Sequence, residues 1–502
     1  MRRIVCIALP EIRVEIARER EGARGAGERS SPLAVVVARA GGAVKTERDV
    51  LGNTRLDVVS SEARAAGIRA GQTVAAARAK HAGLRVRVVA EDAVEGALAR
   101  VAEVALEFGP VVGFDTAVDV VCVDVGGCAH LRGGEESLAR SLVARVKALG
   151  HACRIAVADG PRIASAVARF GGTERVPPGE GAEAMRGLPI EALGLDEDAA
   201  RWLRDLGLRR CGDLQKLPRR SLGTRLGPRA LDVMQLLDGE DRAPLAGWRP
   251  PEVPEERVEL EWGAGSVDAL AFVVKTLCDR LAARLHGRAM ATTRLELELG
   301  LDRALCEGAD RAEFVNVLGV VLPAPLARAP DLLAVLRARL ERHALAAPVL
   351  VVKLRALELV RPASRPLDLL EPEPVADRVL PRLVAELSAE LGAARVGVLG
   401  LVDGWSPDAR TRLVPYGATP PSPRHPLTTS AVEPTRLSLP VRMPCEALPP
   451  PALVARYEAV EWWRRGPQRR DVAAAWIEDR GAGALGWIEI GDDGGTLRGW
   501  FD

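Results

Sequence analysis

The sequence predicts a multidomain protein of mixed α/β and α+β class, and three observations lead to this class. In the first 175 residues, β-branched apolar runs alternate with segments whose apolar residues have helical spacing. Residues 176–245 show helical spacing without a strand pattern, and residues 252–360 show the order β-α-β-β-α-β. At about 150 residues per domain, the length of 502 residues allows about three domains.

The first region, residues 1–175, is predicted to consist of alternating strands and helices. Short apolar runs rich in valine and isoleucine predict strands at 3–9, 33–39, 118–125 and 155–158. Apolar positions three or four residues apart predict helices at 92–107, 137–149 and 162–170. Such alternation is typical of α/β domains.

The segments after residue 175 differ in their patterns. An all-α unit at 176–245 is followed by Pro250, Pro251 and Pro254, which mark a linker. The next segment is predicted to contain strands at 258–262, 293–301, 313–322 and 349–359 and helices at 268–286 and 331–342. A linker at 361–375 then leads into residues 376–452. This segment is predicted to be a helix at 378–392 and an extended linker, since 11 of the 35 prolines lie between Pro415 and Pro451.

The last segment, residues 453–502, is rich in tryptophan. It holds five of the nine tryptophans of the chain, namely Trp462, Trp463, Trp476, Trp487 and Trp500. This density predicts a compact C-terminal module in which the tryptophans pack as a core. The alternative is that they anchor an interface with a partner protein.

The composition excludes some classes of protein. Basic and acidic residues number 69 and 68, so the chain is not a uniformly basic nucleic-acid coat. No apolar run reaches the length of about 18 residues that a membrane span needs. Pro10 and Glu11 end the apolar N-terminal run too early for a signal peptide. We therefore expect a cytoplasmic protein that does not contact membranes.

Two compositional features limit the interpretation of single residues. Only six of the 69 basic residues are lysine, so an arginine cluster in this chain is weaker evidence for a binding site than usual. The eight cysteines form no CxxC pair, and the closest group of soft ligands is Cys122, Cys128 and His130. Buried thiols beside a loop histidine explain this group better than a metal site does, so no metal and no cofactor are expected.

One motif indicates the family. It runs Ser60-Ser61-Glu62-Ala63-Arg64-x-x-Gly67-Ile68-x-x-Gly71, and it resembles the fingers motif (S/Y)xEARxxGIxxGM of Y-family (UmuC/DinB-type) translesion DNA polymerases. In that family the motif lies against the incoming nucleotide, which implies a nucleotide-like pocket that includes Ser61 and Arg64. Further segments follow the family order, namely Val123-Asp124-Val125, Leu188-Pro189-Ile190 and Gly212-Asp213-Leu214.

The resemblance covers residues 1–360 and implies the identity of the domains. It implies a palm and fingers at 1–175, and a thumb with helix-hairpin-helix character at 176–245. It also implies a ferredoxin-like little finger at 252–360.

The residues at the family's catalytic positions do not support catalysis. Phosphoryl transfer by two Mg²⁺ ions needs a cluster of carboxylates, because Mg²⁺ prefers oxygen ligands. The family's four carboxylate positions fall on Ala8, Pro10, Asp119 and Val120, and its lysine falls on Ser165. Only Asp119 keeps a carboxylate, so no catalytic residues are expected, and Mg²⁺ is expected only if unrecognised acids complete the site.

The degenerate site places the chain near one branch of the family. The segment Leu131-Arg132-Gly133-Gly134-Glu135 and the ending Leu497-Arg498-Gly499-Trp500-Phe501 are similar to the catalytically degenerate ImuB-like branch. Val472 and Ala473 stand where that branch has tyrosines. The resemblance implies a non-catalytic, nucleoid-associated adaptor in bacterial DNA repair, translesion synthesis and SOS mutagenesis. Its implied partners are DNA, the β sliding clamp, an error-prone DnaE-type polymerase and an ImuA-like, RecA-related protein.

Two other functions stay open. One is an active translesion polymerase that uses Asp119 together with unrecognised acids. The other is a general DNA-binding protein without a clamp or polymerase partner.

A candidate clamp-binding peptide follows the little finger. It runs Pro366-Leu367-Asp368-Leu369-Leu370 and resembles the clamp motif Q-L-(S/D)-L-F, with Leu370 in place of phenylalanine and Pro366 in place of glutamine. The alternative is a surface turn that leads into the next helix.

A candidate DNA-binding segment lies at 201–230. It holds nine basic residues, namely Arg201, Arg204, Arg209, Arg210, Lys216, Arg219, Arg220, Arg225 and Arg229, against the two acids Asp205 and Asp213. Backbone N–H groups at Leu206-Gly207-Leu208 could face phosphate. Four arginines of the little finger are expected to add to the surface, namely Arg280, Arg284, Arg288 and Arg294. The alternative is an exposed helical face that is rich in arginine through coding bias.

Overall fold

The computed structural model describes residues 2–20, 31–172, 174–306, 314–362, 375–402, 411–419, 436–444, 452–458, 469–479, 482–491 and 494–501. The chain divides into two compact units, Met1–Arg382 and Leu383–Asp502. Among the helices of the described residues, none combines the length and the apolar character that crossing a membrane requires.

The first unit contains most of the secondary structure. Its strands are β1 Arg3–Ala8, β2 Leu33–Ala38, β3 Val58–Val59, β4 Arg85–Ala90, β5 Val112–Asp115, β6 Val120–Asp124, β7 Arg154–Asp159, β8 Glu255–Ala264, β9 Ala291–Leu301, β10 Val315–Leu326 and β11 Val349–Val360. Its helices are α1 Ile12–Arg20, α2 Ser61–Ala65, α3 Val74–Lys80, α4 Glu91–Ala105, α5 Glu135–Ala148, α6 Pro161–Phe170, α7 Gly181–Arg186, α8 Glu197–Asp205, α9 Cys211–Gln215, α10 Arg219–Leu226, α11 Ala230–Leu237, α12 Val267–Gly287 and α13 Ala329–Leu340.

The predicted domain names are used below as labels for their segments. The predicted palm contains an antiparallel sheet in the order β5-β6-β1-β7. Alternate residues of β1 point to opposite faces, as the pleat of a strand requires. Val5 and Ile7 pack in one apolar core with residues of α4 and α5. Ile4, Cys6 and Ala8 pack on the other face in a second core, to which α6 and the following small helices contribute.

The fingers are a separate three-stranded sheet with its own small core. The sheet order is β3-β2-β4, in which β2 pairs parallel with β4 and antiparallel with β3. Ala63 and Ile68 of the family motif are buried in this core. The packing of Ala63 and Ile68 therefore fixes the position of the motif, including Arg64 between them.

The thumb and the little finger follow the predicted order of elements. Residues 176–245, all of which the structure describes, contain the helices α7 to α11 and two short 3-10 helices. The little finger has the order β8-α12-β9-β10-α13-β11, which confirms the predicted β-α-β-β-α-β pattern. Its sheet is antiparallel in the order β10-β9-β11-β8, so the second and fourth strands are central. The ferredoxin-like assignment rests on the order of elements alone and stays a prediction.

The strand predicted at 118–125 is wrong at its start. The observed strand β6 begins at Val120, and residues 116–119 form a turn after β5, a strand that the sequence pattern did not indicate. Asp119 occupies the last position of the turn with φ of 55°, which is unusual for a residue other than glycine. The turn places Asp119 at the end of the palm sheet rather than within a strand.

The second unit corrects the linker assignment. It contains the end of α14 Val375–Leu391 and the strands β12 Gly397–Leu401, β13 Thr411–Pro415, β14 Arg436–Pro444, β15 Ala452–Glu458, β16 Arg469–Asp479, β17 Ala482–Gly491 and β18 Gly494–Phe501. The last five strands form one antiparallel sheet in the order β14-β18-β17-β16-β15. Because β14 lies inside the segment predicted as a Pro-rich linker, the C-terminal sheet begins before residue 453.

The tryptophans of this sheet occupy different environments. Trp487 is 3% exposed, whereas Trp476 is 56% exposed. Trp500 packs against the small core that includes Ile488 and Leu497. Trp462 and Trp463 lie outside the described residues. Core packing thus holds for Trp487 and Trp500, and the exposed ring of Trp476 leaves the interface alternative open for that residue.

Candidate functional site

Two of the degenerate catalytic positions are part of the palm core. Ala8 of β1 and Val120 of β6 are cross-strand partners, and they are 2% and 3% exposed in an apolar cluster. Pro10 lies in the exposed turn between β1 and α1. Because the side chains of Ala8 and Val120 are apolar, neither position offers an oxygen ligand to a metal ion.

The remaining carboxylate, Asp119, is held by an arginine. Arg13 of α1 donates from Nε to Asp119 Oδ2 at 2.9 Å and from Nη2 to Oδ1 at 3.0 Å. Arg13 also donates to the carbonyl of Thr116 at 2.7 Å, which fixes the turn. Burial raises the pKa of the Asp119 carboxyl above its ordinary value, and the charge and hydrogen bonds of Arg13 oppose that rise.

The arginine of the family motif is also paired. Arg64 forms an ion pair with Glu11, which follows β1, and Glu62 pairs with Arg18 of α1 at 2.8 Å. Ser60 rather than Ser61 caps α2, since Ser60 Oγ accepts from the amide of Ala63 at 3.2 Å. The exposed Ser61 and the paired Arg64 leave the nucleotide-like pocket a prediction.

The side chains do not assemble a metal site in the part of the chain that the structure describes. Among those residues, no group of three or more His, Cys, Asp or Glu side chains is placed to hold a metal ion. This includes the candidate soft-ligand group of Cys122, Cys128 and His130. Glu11 and Asp119 are both in ion pairs with arginine. A third acid, Asp115, is the cross-strand partner of Val120 and lines the same cleft.

A cleft of about 620 Å³ lies beside these positions. Its lining includes Val120, Ser165, Arg169 and Phe114. Arg169 lies one helical turn after Ser165 on α6, and its guanidinium is 4.7 Å from the ring centroid of Phe170. Its charge also lowers the pKa of Asp119, although less than Arg13 does. The cleft therefore contains cationic groups of the protein near the position of the lost lysine.

Sequence reasoning missed both Arg13 and Arg169. Arg13 follows Glu11 by two residues and gains its role only because the turn after β5 carries Asp119 to the start of α1. Arg169 is four residues after Ser165, a spacing that places both on one face of a helix. That spacing is the signal that could have identified Arg169.

Four of the predicted DNA-binding arginines of the thumb form ion pairs with acids. The ion pairs join Arg201 to Glu197 and Asp198, Arg204 to Glu191, Arg219 to Asp238 and Arg229 to Asp196. The side chains of Arg220 and Arg225 lie outside the described part of the structure. Arg209, Arg210 and Lys216 are exposed, and no described carboxylate lies within 4.0 Å of them. Among the basic side chains of this segment that the structure describes, these three are the ones without a carboxylate partner.

Two further expectations about DNA contacts need correction. The amides of Gly207 and Leu208 donate to the carbonyls of Arg204 and Leu203, so this hairpin does not present free N–H groups to phosphate. In the little finger, Arg280 pairs with Glu19, Arg284 and Arg288 with Glu103, and Arg294 with Glu358. Arg280, Arg284 and Arg288 are largely buried in these pairs, whereas Arg294 forms an exposed pair on the sheet surface.

The candidate clamp peptide, Pro366 to Leu370, lies outside the described residues. It stays a prediction from the sequence.

Comparison with known proteins agrees with the sequence motif. Residues 29–169 match the model of the impB/mucB/samB family. Protein ImuB from two strains of Caulobacter vibrioides is 33% identical over 193 residues, which are 38% of this chain and 42% of that protein. The alignment thus spans less than half the length of these relatives.

Solved Y-family polymerases are also similar in structure. An insertion ternary complex of Dbh DNA polymerase covers 71% of this chain with 16% identity and a TM-score of 0.40. DinB from Sulfolobus solfataricus covers 72% with 15% identity and a TM-score of 0.38. Each alignment includes 99% of the polymerase chain. On the family match and the sequence similarity, residues 29–169 carry a Y-family domain of the impB/mucB/samB family, in a chain that is a homologue of Protein ImuB.

Proposed function

We propose that the chain is a non-catalytic Y-family adaptor that binds DNA and assembles a translesion synthesis complex. The observation that carries this proposal is the pairing of Asp119, the last acid at the family's catalytic positions, with Arg13. A carboxylate that accepts hydrogen bonds from a guanidinium at both oxygens already has its charge compensated, so it attracts a metal ion less than an unpaired carboxylate does. Removing one partner of a buried ion pair typically costs about 3–5 kcal/mol, so Asp119 has little tendency to leave Arg13.

The partners of the adaptor are proposed from the similarity to ImuB and from the sequence. They are DNA, the β sliding clamp, an error-prone DnaE-type polymerase and an ImuA-like, RecA-related protein. The exposed cations Arg209, Arg210 and Lys216 of the thumb support phosphate contacts that do not depend on base sequence. The catalytic step would then belong to the recruited polymerase.

We expect no template-directed nucleotide incorporation by the purified full chain with either Mg²⁺ or Mn²⁺. A primer-extension assay of the wild-type chain and of the Asp119→Ala variant checks this, because the apolar packing of Ala8 and Val120 leaves the metal ions without ligands. A related active polymerase serves as the positive control. Incorporation by the wild type that is lost in Asp119→Ala would instead establish an active polymerase.

We expect the double variant Leu369→Ala, Leu370→Ala to lose binding to the β clamp in a pull-down. The two leucines would supply the aliphatic anchors of the clamp peptide, and truncating such anchors typically costs about 2 kcal/mol or more each. Leu51→Ala with Leu305→Ala is a matched control, because both of these leucines are exposed outside the peptide. Unchanged clamp binding in the first variant would favour a general DNA-binding protein.

A further inference from the structure

The fingers region, residues 31–90, carries a large excess of positive charge. It has ten basic and four acidic residues, a net charge of +6, whereas the thumb at 176–245 has eleven basic and twelve acidic residues. Three of the four acids already have partners: Asp57 pairs with Arg39, Glu62 with Arg18 of α1, and Asp49 accepts from backbone amides at Lys45 and Thr46. Of the cations, Arg64 is compensated by Glu11 outside the fingers.

Three exposed cations of the fingers meet at one loop, the segment between α2 and α3. Arg55 donates to the carbonyl of Gly71 at 2.8 Å, and Lys80 to that of Gly67 at 2.8 Å. Arg69 donates to the carbonyls of Arg64 and Ile68 at 2.7 and 2.9 Å. We call Arg55, Arg69 and Lys80 the loop cations.

The loop cations keep free hydrogen-bond donors. A guanidinium has five N–H donors and an ammonium has three, so one or two bonds to carbonyls leave the others available. No described carboxylate lies within 4.0 Å of these three groups. The backbone carbonyls hold the side chains in place, and this reduces the conformational entropy that a ligand would have to remove on binding.

The loop also leaves room for a ligand beside its backbone. Gly67 and Gly71 have φ of 81° and 82°, and a Cβ built on either glycine would meet no atom within 4 Å. Residues 31–90 contain no Phe, Tyr or Trp, so the fingers lack the large aromatic rings on which bases usually stack. The surface is suited to phosphate groups and has no device for reading bases.

We infer that the loop cations bind the phosphodiester backbone of DNA independently of its base sequence. The inference rests on the proposed DNA-binding function and assigns the contact to the fingers, where the unbalanced charge lies. It makes the fingers loop a phosphate-binding surface in addition to the three unpaired cations of the thumb.

The test measures the DNA affinity of the full chain at a series of salt concentrations. It compares the wild type with the triple variant Arg55→Gln, Arg69→Gln, Lys80→Gln. With a 30-nucleotide single strand we expect the slope of log affinity against log salt to become shallower by about 2, and with a duplex by about 3. At 0.1 M salt, the single-strand value corresponds to an affinity loss of about 100-fold. The wild-type chain is expected to bind oligo-dA and oligo-dT equally. The charge-conserving double variant Arg55→Lys, Arg69→Lys is expected to keep most of the affinity.

Two matched variants separate this inference from the proposed function. The variant Arg201→Gln, Arg204→Gln, Arg219→Gln removes the same charge from arginines that already pair with acids. An equal affinity loss there would overturn the inference, because total charge would then explain both results. The inference would also be overturned if the loop-cation variant kept wild-type DNA affinity and the thumb variant Arg209→Gln, Arg210→Gln, Lys216→Gln lost affinity. In that case the proposed DNA-binding function would still stand. If the wild-type chain bound neither the single strand nor the duplex, the proposed function would be refuted as well.

Discussion

Replacing Arg284 with alanine is expected to lower the free energy of unfolding by about 3–5 kcal/mol. Arg284 lies on α12 of the little finger, and its guanidinium donates to Glu103 of the palm helix α4 at 2.7 and 2.9 Å and to Glu256 at 2.8 Å. Glu103 is 0% exposed, Glu256 1% and Arg284 6%. The variant would leave two buried carboxylates without their main cation, which is far more costly than losing an exposed pair.

Urea unfolding of the wild-type and variant chains measures this loss. Arg337→Ala is the matched control, because Arg337 pairs with Glu341 on the exposed face of α13 in the same domain. We expect that control to lose about 0.5 kcal/mol or less. Similar losses in the two variants would show that the buried cluster does not hold the little finger against the palm.

Replacing Arg13 with glutamine is expected to destabilise the palm in a pH-dependent manner. The pKa of Asp119 is raised in the folded state by burial, and Arg13 is the main group that opposes the rise, so the pKa rises further in the variant. A raised pKa means that the folded state binds the proton more tightly than the unfolded state does. Protonation of Asp119 therefore stabilises the folded state. This contribution is fully present below the pKa of Asp119 in the unfolded state, and it is lost as pH rises through its pKa in the folded state.

The destabilisation of Arg13→Gln is therefore expected to be largest at pH 7, about 3 kcal/mol, and to shrink toward pH 5. Unfolding curves at pH 5, 6 and 7 measure it. Adding Asp119→Asn in the same background removes the titrating group, so that double variant is expected to lose the pH dependence. A destabilisation of equal size at all three pH values would contradict the role assigned to the Arg13–Asp119 pair.

Elements with a strong local pattern could be predicted from the sequence. The alternating leucines of β9 and the helical spacing of α12 predicted the little finger, since each pattern is satisfied by burial of one face. The turn before β6 could not be predicted in the same way. Val118 continues a β-branched run, yet the pairing of β5 with β6 places it in the turn that joins them.

The charge pattern shows how folding changes a basic excess that is counted over a short window. The basic excess at 201–230 is real within that window, but Arg204 pairs with Glu191 and Arg219 with Asp238, both outside it. Folding brings together residues that a short window separates. In the fingers, the same counting over the whole domain would have indicated the more basic surface, because its acids are few and already engaged.

The prolines of β14 lie at one edge of the C-terminal sheet. β14 is an edge strand, paired on one side with β18, and its register shifts between Leu437 and Val441. Leu439 within this bulge is 85% exposed, so the edge carries apolar surface that could attract a strand of another molecule. Pro440 and Pro444 provide no N–H for such pairing. The composition that suggested a linker therefore protects the open edge of the sheet from association with other chains.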